Sequence, residues 1–276
     1  MPRLQPHRPL GQVTRGKTAQ NRLRRVDVFT LLYAGELLRR RVPSVERALF
    51  VDLGYGAEPF TTLESAARMR TLNPLLDVLG VEIDPQRVEV ALPYADAHTF
   101  FRLGGFNLPL QPGETVRVLR AFNVLRQYEE AQVAEAHAWM GAALMPDGLL
   151  IEGTSDPFGR VWVANLLRRQ ADGLAPEGLL FGTNFHWGFE PGIFQPVLPK
   201  NHIHRMVPGE VIYDFMEAWK AAARQTIAFR SFGLRQWFAA SAQRLAADGR
   251  YSIETRPRYL RRGFLLWRLP MVNPAL

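Results

Sequence analysis

Between residues 48 and 153, short apolar runs alternate with amphipathic stretches. This is the pattern of strands that each lead into a helix and return parallel. Strands are predicted at 48–53, 78–83, 99–103, 116–122 and 149–153. Thr61 with Glu64 reads as a capping box opening a helix to about 72, and Asp84-Pro85 sets a cap before a proline at the first helical position. A helix over 129–144 carries acids in its first turn, and Met145-Pro146-Asp147-Gly148 reads as a turn. Upstream, Asp27 caps a helix to about 41 with Val28, Leu31, Leu32 and Leu38 on its apolar face. Arg39, Arg40 and Arg41 suit the dipole at its end, and Pro43 stops it. Downstream the alternation is less regular. Strands are predicted at 161–167 and 179–184 around an Ala171-Asp172-Gly173 turn, a loop at 193–209, helices at 211–224 and 236–247, and a last strand at 263–268. The fold class that follows is α/β: a Rossmann-like, doubly wound, mostly parallel sheet with a helical addition before the last strand.

The chain has 276 residues, 47% hydrophobic and without cysteine. That excludes disulfide scaffolds, thiolate metal sites and a cysteine nucleophile. No apolar run approaches the ~20 residues of a bilayer span, and the first 25 residues hold no apolar core of a secretory signal. A cytoplasmic protein with no membrane partner is expected. The net charge is +8. All of it falls within residues 1–45, where ten basic residues meet only Asp27 and Glu36, so the rest of the chain is neutral. Residues 1–26 therefore read as a basic arm ahead of one domain at 27–276, in which 186–250 is a substrate-side insertion. A basic arm suits a polyanion such as RNA; it equally suits a solvated leader.

Candidate chemistry concentrates in Phe50-Val51-Asp52-Leu53-Gly54-Tyr55-Gly56, a strand entering a Gly-x-Gly turn before a helix. Such a turn lets a ligand approach the backbone, and the helix start offers unpaired N–H groups to an anion. A dinucleotide fingerprint wants a third glycine where this chain has Pro59. Asp52 repels a pyrophosphate but suits the ammonium and sulfonium of S-adenosylmethionine. In Gly80-Val81-Glu82-Ile83-Asp84-Pro85, Glu82 ends the second strand, where a carboxylate accepts from both ribose hydroxyls. Ile83 is placed to pack on adenine.

Asp52-x-Gly54-x-Gly56, then Glu82-Ile83-Asp84, Asn123-Val124-Leu125, and Leu144-Met145-Pro146-Asp147-Gly148 before a strand resemble the ordered motifs of class I S-adenosylmethionine-dependent methyltransferases. They cover about 48–155. With the segments 120–128 and 199–205, the wider chain looks like an uncharacterised bacterial methyltransferase group. The resemblance implies S-adenosyl-L-methionine as cofactor, with Asp52, Gly54, Tyr55 and Gly56 around its methionine end and Glu82 on its ribose. It implies Gly104 and Gly105 beside the adenine, and Asn123 under the donor. The chain departs from the family at Glu58, where many members carry glycine. It departs again at Gly104-Gly105, where many carry an acid for the adenine amine; Asn107 or a backbone carbonyl is the substitute. The Asn/Asp-Pro-Pro-aromatic motif of amino-group nucleic-acid methylases is absent.

Methyl transfer needs alignment and, for a protonated acceptor, a base. Asn123, Tyr128 and His202 are the candidate catalytic residues, with Arg126 as an anion holder. His202-x-His204 in an extended segment points two imidazoles the same way, but no third ligand follows and no metal is expected. Phe185, Phe189 and Phe194 beside His186-Trp187 form either core or a substrate wall. Arg256, Arg258, Arg261 and Arg262 form a second basic cluster that either joins the arm in a phosphate-binding face or is scattered surface charge. The expected activity is methyl transfer to an acceptor, RNA ahead of a small metabolite. The alternatives are an NAD(P)-binding oxidoreductase and a non-catalytic RNA-binding protein on a methyltransferase fold.

Overall fold

A computed structural model describes residues 8–41 and 47–269. Its strands are β1 (Arg47–Leu53), β2 (Val78–Glu82), β3 (Thr99–Leu103), β4 (Glu114–Phe122), β5 (Leu144–Ser155), β6 (Val161–Gln170), β7 (Gly173–Thr183), β8 (Ser252–Ile253) and β9 (Phe264–Arg268). The helices are α1 (Arg24–Tyr33), α2 (Gly35–Arg39), α3 (Phe60–Met69), α4 (Pro85–Ala91), α5 (Val133–Ala142), α6 (Lys200–Ile203), α7 (Val211–Gln225), α8 (Leu234–Ala247) and α9 (Pro257–Leu260). All strands join one sheet in the order β3-β2-β1-β4-β5-β6-β7-β9-β8. β1 to β5 are mutually parallel, and the rest pair antiparallel. Only β6 and β9 run against the common direction.

Side chains alternate across the sheet. Phe50, Val118, Ile151, Trp162 and Phe264 enter a core with Val26 and Phe29 of α1, Ala66 and Met69 of α3, and Tyr259 of α9. Leu49, Val51, Leu119 and Leu150 face the other way, against Val133, Ala136 and Met140 of α5. Beyond β5 this second face continues beneath α7 and α8, where Val163 and Phe181 meet Phe215, Trp219 and Phe238. Each such side chain, fully buried, contributes about 1.5–3 kcal/mol. Phe189 and Phe194 belong to this core, so the aromatic stretch is core, whereas Trp187 is exposed. Residues 186–250 cover the sheet through α7 and α8 and supply no residue to the large cavity described below.

The first core holds an ionic cross-link. Arg120 on β4 is fully buried between Asp27 of α1 and Asp52 of β1. Its NH1 lies 2.5 Å from Asp27 Oδ1 and 2.7 Å from Ser65 Oγ, and its NH2 lies 2.8 Å from Asp52 Oδ1. The outer oxygen of Asp27 accepts from Arg68 at 2.7 Å. Burial opposes the charge on Arg120, but the flanking Asp52 and Asp27 outweigh it and hold its pKa above the ordinary arginine value.

This network overrides two local expectations. Asp27 does not cap a helix; α1 begins three residues earlier, after Leu23, without a side-chain cap, because Asp27 is drawn inward to Arg120. Thr61 likewise donates to Asp52 Oδ2 at 2.7 Å instead of capping α3. The expected helix to about 41 breaks at Ala34 into α1 and α2; Pro43 lies outside the described residues. Asp84 does cap α4, accepting from Gln86 N at 3.0 Å. The turn expected at 145–148 lies within β5: pairing passes from Leu144↔Val116 to Leu149↔Val118, and Asp147 takes a left-handed φ of 61°.

Candidate active site

The strand order reverses between β1 and β4, and in open α/β sheets ligands bind where this happens, beyond the strands' carboxyl ends. There β1 enters the turn Gly54-Tyr55-Gly56 with φ of 74° and 93° at the two glycines, values that side chains disfavour. Space forbids side chains too. A Cβ on Gly54 would sit 2.6 Å from Val124 Cγ2, and one on Gly56 2.8 Å from the carbonyl oxygen of Gly16.

Two neighbouring spaces lie at this turn. One is a cavity of about 990 Å³ lined by Asp52, Gly54, Tyr55, Gly56, Asn123 and Ser155 among others. The other is a narrow slot between Glu82, Ile83, Gly104, Gly105, Phe106 and Tyr128. They share Thr14, Leu53 and Gly54. The slot holds only about 20 Å³ of free space, because Leu10, Gly11 and Gln12 lie in it.

The described part of the basic arm is thus a strap, not a solvated tail. Phe106 N donates to Leu10 O at 2.9 Å and Ala57 N to Gly16 O at 2.8 Å. Asn107 Oδ1 accepts from Leu10 N at 2.7 Å, and its Nδ2 donates to Arg8 O at 3.1 Å. Gln127 donates to Gln12 O at 3.1 Å and Arg87 to Thr14 O at 2.8 Å. Gln12 N donates to the Tyr128 hydroxyl. A Cβ on Gly105 would overlap the Leu10 carbonyl. The sequence reasoning saw the arm's charge and missed this docking. The available signal was Gly16 within Thr14-Arg15-Gly16-Lys17-Thr18, a glycine in a charged segment where close backbone approach requires it.

Each expected residue has a definite place. Glu82 is buried at the wall of the slot; Oε2 accepts from Gly56 N at 3.0 Å and Oε1 from Ile83 N at 2.9 Å. Oε1 also takes Asp84 N at 3.4 Å and lies 3.5 Å from Arg87 NH1; of a carboxylate's roughly four acceptor positions, one on Oε2 is left for a ligand. Asp52 borders the cavity, but both of its oxygens are engaged, by Arg120, Thr61 and Thr62. Its charge is paired with that of Arg120, and it ties β1 to α3. Tyr55 packs edge-on against Phe101; burial, then Glu82 and Asp52, push its phenol upward. Asn123 adopts φ 60° at the cavity floor and bridges β4 to β5, accepting from Ser155 N at 3.0 Å and donating to Ser155 Oγ at 3.2 Å.

Of the three candidate catalytic residues, Asn123 lines the cavity, Tyr128 lines the slot, and His202 lines neither. In the slot, Tyr128 has its ring tilted against Phe106 and its hydroxyl holding the strap, and burial raises its pKa. His202 lies on α6, which is helical, so His204 does not share its direction and is exposed. It sits 3.0 Å from Asn165 Oδ1, in a network where Asn165 Nδ2 donates to Glu152 at 2.8 Å. Burial pulls the His202 pKa down to about 4 against the opposing pull of Glu152. The folded protein therefore leaves His202 neutral where the unfolded chain already binds a proton. This contribution to stability is complete above about pH 6.5 and is lost as pH falls from there towards 4. Denaturant midpoints measured across that range should drop less for His202→Gln than for the parent; equal slopes would refute the assignment.

The charges lining the cavity are mostly basic. Arg15, Lys17, Arg22 and Arg126 face it against Glu58 and the neutralised Asp52. Arg22 donates to Ser155 Oγ at 3.3 Å and to Lys17 O at 2.7 Å. Burial lowers its pKa, Asp156 opposes that, and Arg126 adds to it. Phe158, which is 59% exposed, stands at the cavity edge. Among the described residues no group of three or more His, Asp or Glu is arranged to hold a metal, and no helix is long and apolar enough to cross a membrane.

No protein-family model and no curated protein matches the sequence. Solved structures do. A pericyclic reaction enzyme matches at 19% identity over 45% of this chain and 31% of that one, with a TM-score of 0.35. The plantazolicin methyltransferase BpumL in complex with SAH matches at 13% identity over 49% of each chain, TM-score 0.36. The N-methyltransferase NodS from Bradyrhizobium japonicum WM9 matches at 16% identity over 49% of this chain and 68% of that one, TM-score 0.33. The match spans about a third of the first of these and half of the second. The chain's own strand order, five parallel strands reversing between β1 and β4 with an antiparallel extension, is a Rossmann-like doubly wound fold, as the sequence implies.

Proposed function

We propose that this chain is an S-adenosylmethionine-dependent methyltransferase. The observation that supports it is a slot walled by Glu82 and Ile83 beside a cavity at the switch point, with Thr14, Leu53 and Gly54 lining both. After β5 the sheet turns antiparallel, so it lacks the second parallel half that a doubly wound dinucleotide fold supplies. The donor set fits the cofactor in chemistry. Glu82 would accept from the ribose hydroxyls, Ile83, Gly104 and Gly105 would border the adenine, and Asn123 would lie under the methionine end.

When bound, the sulfonium supplies an activated methyl carbon. This chain's residues do the rest by alignment. The Gly54-Gly56 turn and the start of α3 would hold the carboxylate end, and the cavity would admit the acceptor from the side of Asn123 and Ser155. Entry of the adenosyl group requires Leu10 to Gln12 to leave the slot, so the strap competes with the donor. Asn107→Ala removes two strap hydrogen bonds worth about 1 kcal/mol each. If the closed strap predominates, apparent affinity for S-adenosylhomocysteine should tighten by up to about thirtyfold, since the competent fraction rises. Weaker binding by calorimetry would place Asn107 on the ligand instead.

A second reading, an NAD(P)-dependent oxidoreductase, gains from Arg15, Lys17, Arg22 and Arg126, which suit a pyrophosphate. Calorimetric titration with S-adenosylhomocysteine and with NADPH separates the two. Saturable binding of the former alone is expected; binding of NADPH alone overturns the proposal.

A further inference from the structure

Arg25 lies in the first turn of α1 and Arg22 in the turn just before it, and their guanidinium groups reach different points along the carboxyl edge of the sheet. Arg22 reaches Ser155 at the end of β5. Arg25 lies 4.6 Å above the ring of Phe264 at the start of β9 and donates to the carbonyls of Thr183 and Arg262. Ser155, Trp162, Gly182 and Phe264 are successive partners in one row across β5, β6, β7 and β9. Three strand spacings separate the row's ends, roughly 14 Å.

Each end collects arginines that have no carboxylate partner of their own. Arg22 has Arg126, Arg15 and Lys17 around the cavity. The strongest charges on Arg25 are three further arginines, Arg235, Arg24 and Arg262, and its Nε is buried without a partner. Arg235 is fixed by a hydrogen bond to Arg261 O at 2.9 Å and by the Phe185 ring, 5.1 Å from its guanidinium. Among the described residues none of Arg22, Arg24, Arg25, Arg126, Arg235 or Arg262 has a carboxylate within 4 Å. Asp156, the nearest acid acting on Arg22, is occupied by the backbone N–H groups of Phe158, Arg160 and Val161. Like charges gathered in partly buried positions are costly in the free protein and favourable against an anion.

Between the two ends lies an aromatic step. Arg160 stands 4.8 Å from the rings of both Phe158 and Trp187, which are 59% and 58% exposed. Exposed rings between arginine groups are what successive bases stack on in sequence-tolerant single-strand binding. A small anion satisfies one arginine group and leaves the other and the rings unused.

We infer that the carboxyl edge of the sheet, from Arg126 and Arg22 past Phe158 and Trp187 to Arg25, Arg235 and Arg262, is a track for single-stranded nucleic acid. Resting on the methyltransferase reading, the strand that follows this track into the cavity is the methyl acceptor. The expectation of an RNA partner through a free arm thereby moves to a folded surface.

The test uses the full chain and fluorescein-labelled 12-nucleotide oligouridine and oligothymidine in anisotropy titrations at 50 to 200 mM NaCl, with uridine monophosphate and polyglutamate as competitors. The parent should bind an oligonucleotide with affinity that falls as salt rises. Replacing two exposed arginines, Arg235→Ser with Arg262→Ser, should weaken binding about tenfold and lower the salt slope by about 1.4, twice the single-strand value per phosphate contact. Phe158→Ala with Trp187→Ala should weaken binding and leave the slope unchanged. A preference for oligouridine assigns RNA, and one for oligothymidine assigns DNA. The inference falls if the arginine pair changes neither quantity, or if uridine monophosphate or polyglutamate competes as well as unlabelled oligonucleotide. Unaltered thermal midpoints check folding. Calorimetry with S-adenosylhomocysteine on the same variants should be unchanged: intact donor binding without oligonucleotide binding sinks the track alone, and the converse sinks the methyltransferase reading alone.

Discussion

Arg120→Met is expected to destabilise the protein by about 3–5 kcal/mol, the range for removing one partner of a buried ion network. The guanidinium is fully buried and meets Asp27 and Asp52 at once. Methionine fills much of the volume but leaves Asp52 without its cation, and Asp27 with Arg68 alone at its outer oxygen. Because the network joins α1, α3, β1 and β4, the loss should appear in global unfolding, as a lower denaturant midpoint with an unchanged slope. The triple replacement Asp27→Leu, Arg120→Met and Asp52→Asn should recover part of it, since apolar substitutes for a whole buried network are often neutral. A loss below about 1 kcal/mol for Arg120→Met would mean that water screens the carboxylates, contrary to their burial.

Glu82→Gln is expected to weaken binding of S-adenosylhomocysteine roughly tenfold to a hundredfold, the 1–3 kcal/mol carried by hydrogen bonds to a charged acceptor. Glutamine keeps the volume and one acceptor oxygen, so Ile83 N or Gly56 N retains a partner. The fold should survive, and a matching unfolding midpoint in the free protein checks that. Calorimetry at a fixed strap state, in the Asn107→Ala background, separates the loss of the ribose contact from strap competition. Equal affinity in parent and variant would remove Glu82 from the donor site and with it the slot's assignment to a nucleoside.

Asp52 and Glu82 illustrate how far sequence reasoning reaches. Both are acids at the end of an apolar strand, and both lie at the switch point. Spacing located each of them; what each one faces was decided by partners distant in sequence. Asp52 is met by Arg120, 68 residues away, and its charge is cancelled. Glu82 is met by the backbone N–H groups of Gly56, Ile83 and Asp84 and, 3.5 Å away, by the guanidinium of Arg87. Tyr128 and His202 were plausible as single residues. Tyr128 holds the strap, 116 residues away, and His202, half-buried on α6, meets Asn165, which in turn donates to Glu152.

The sequence by itself determined the parallel strands β1 to β5, the glycine turn and the capped start of α4, because each follows from periodicity, glycine stereochemistry or a local cap within a few residues. Only the tertiary structure decided that the basic segment lies in the slot as a strap. It alone decided that Asp27 and Asp52 enclose Arg120, and that Arg25 meets Arg235 and Arg262. Those are long-range choices: a charged side chain has no preferred partner in its own neighbourhood, and its energy is set by whichever opposite or like charge, and how much water, the packed elements bring to it.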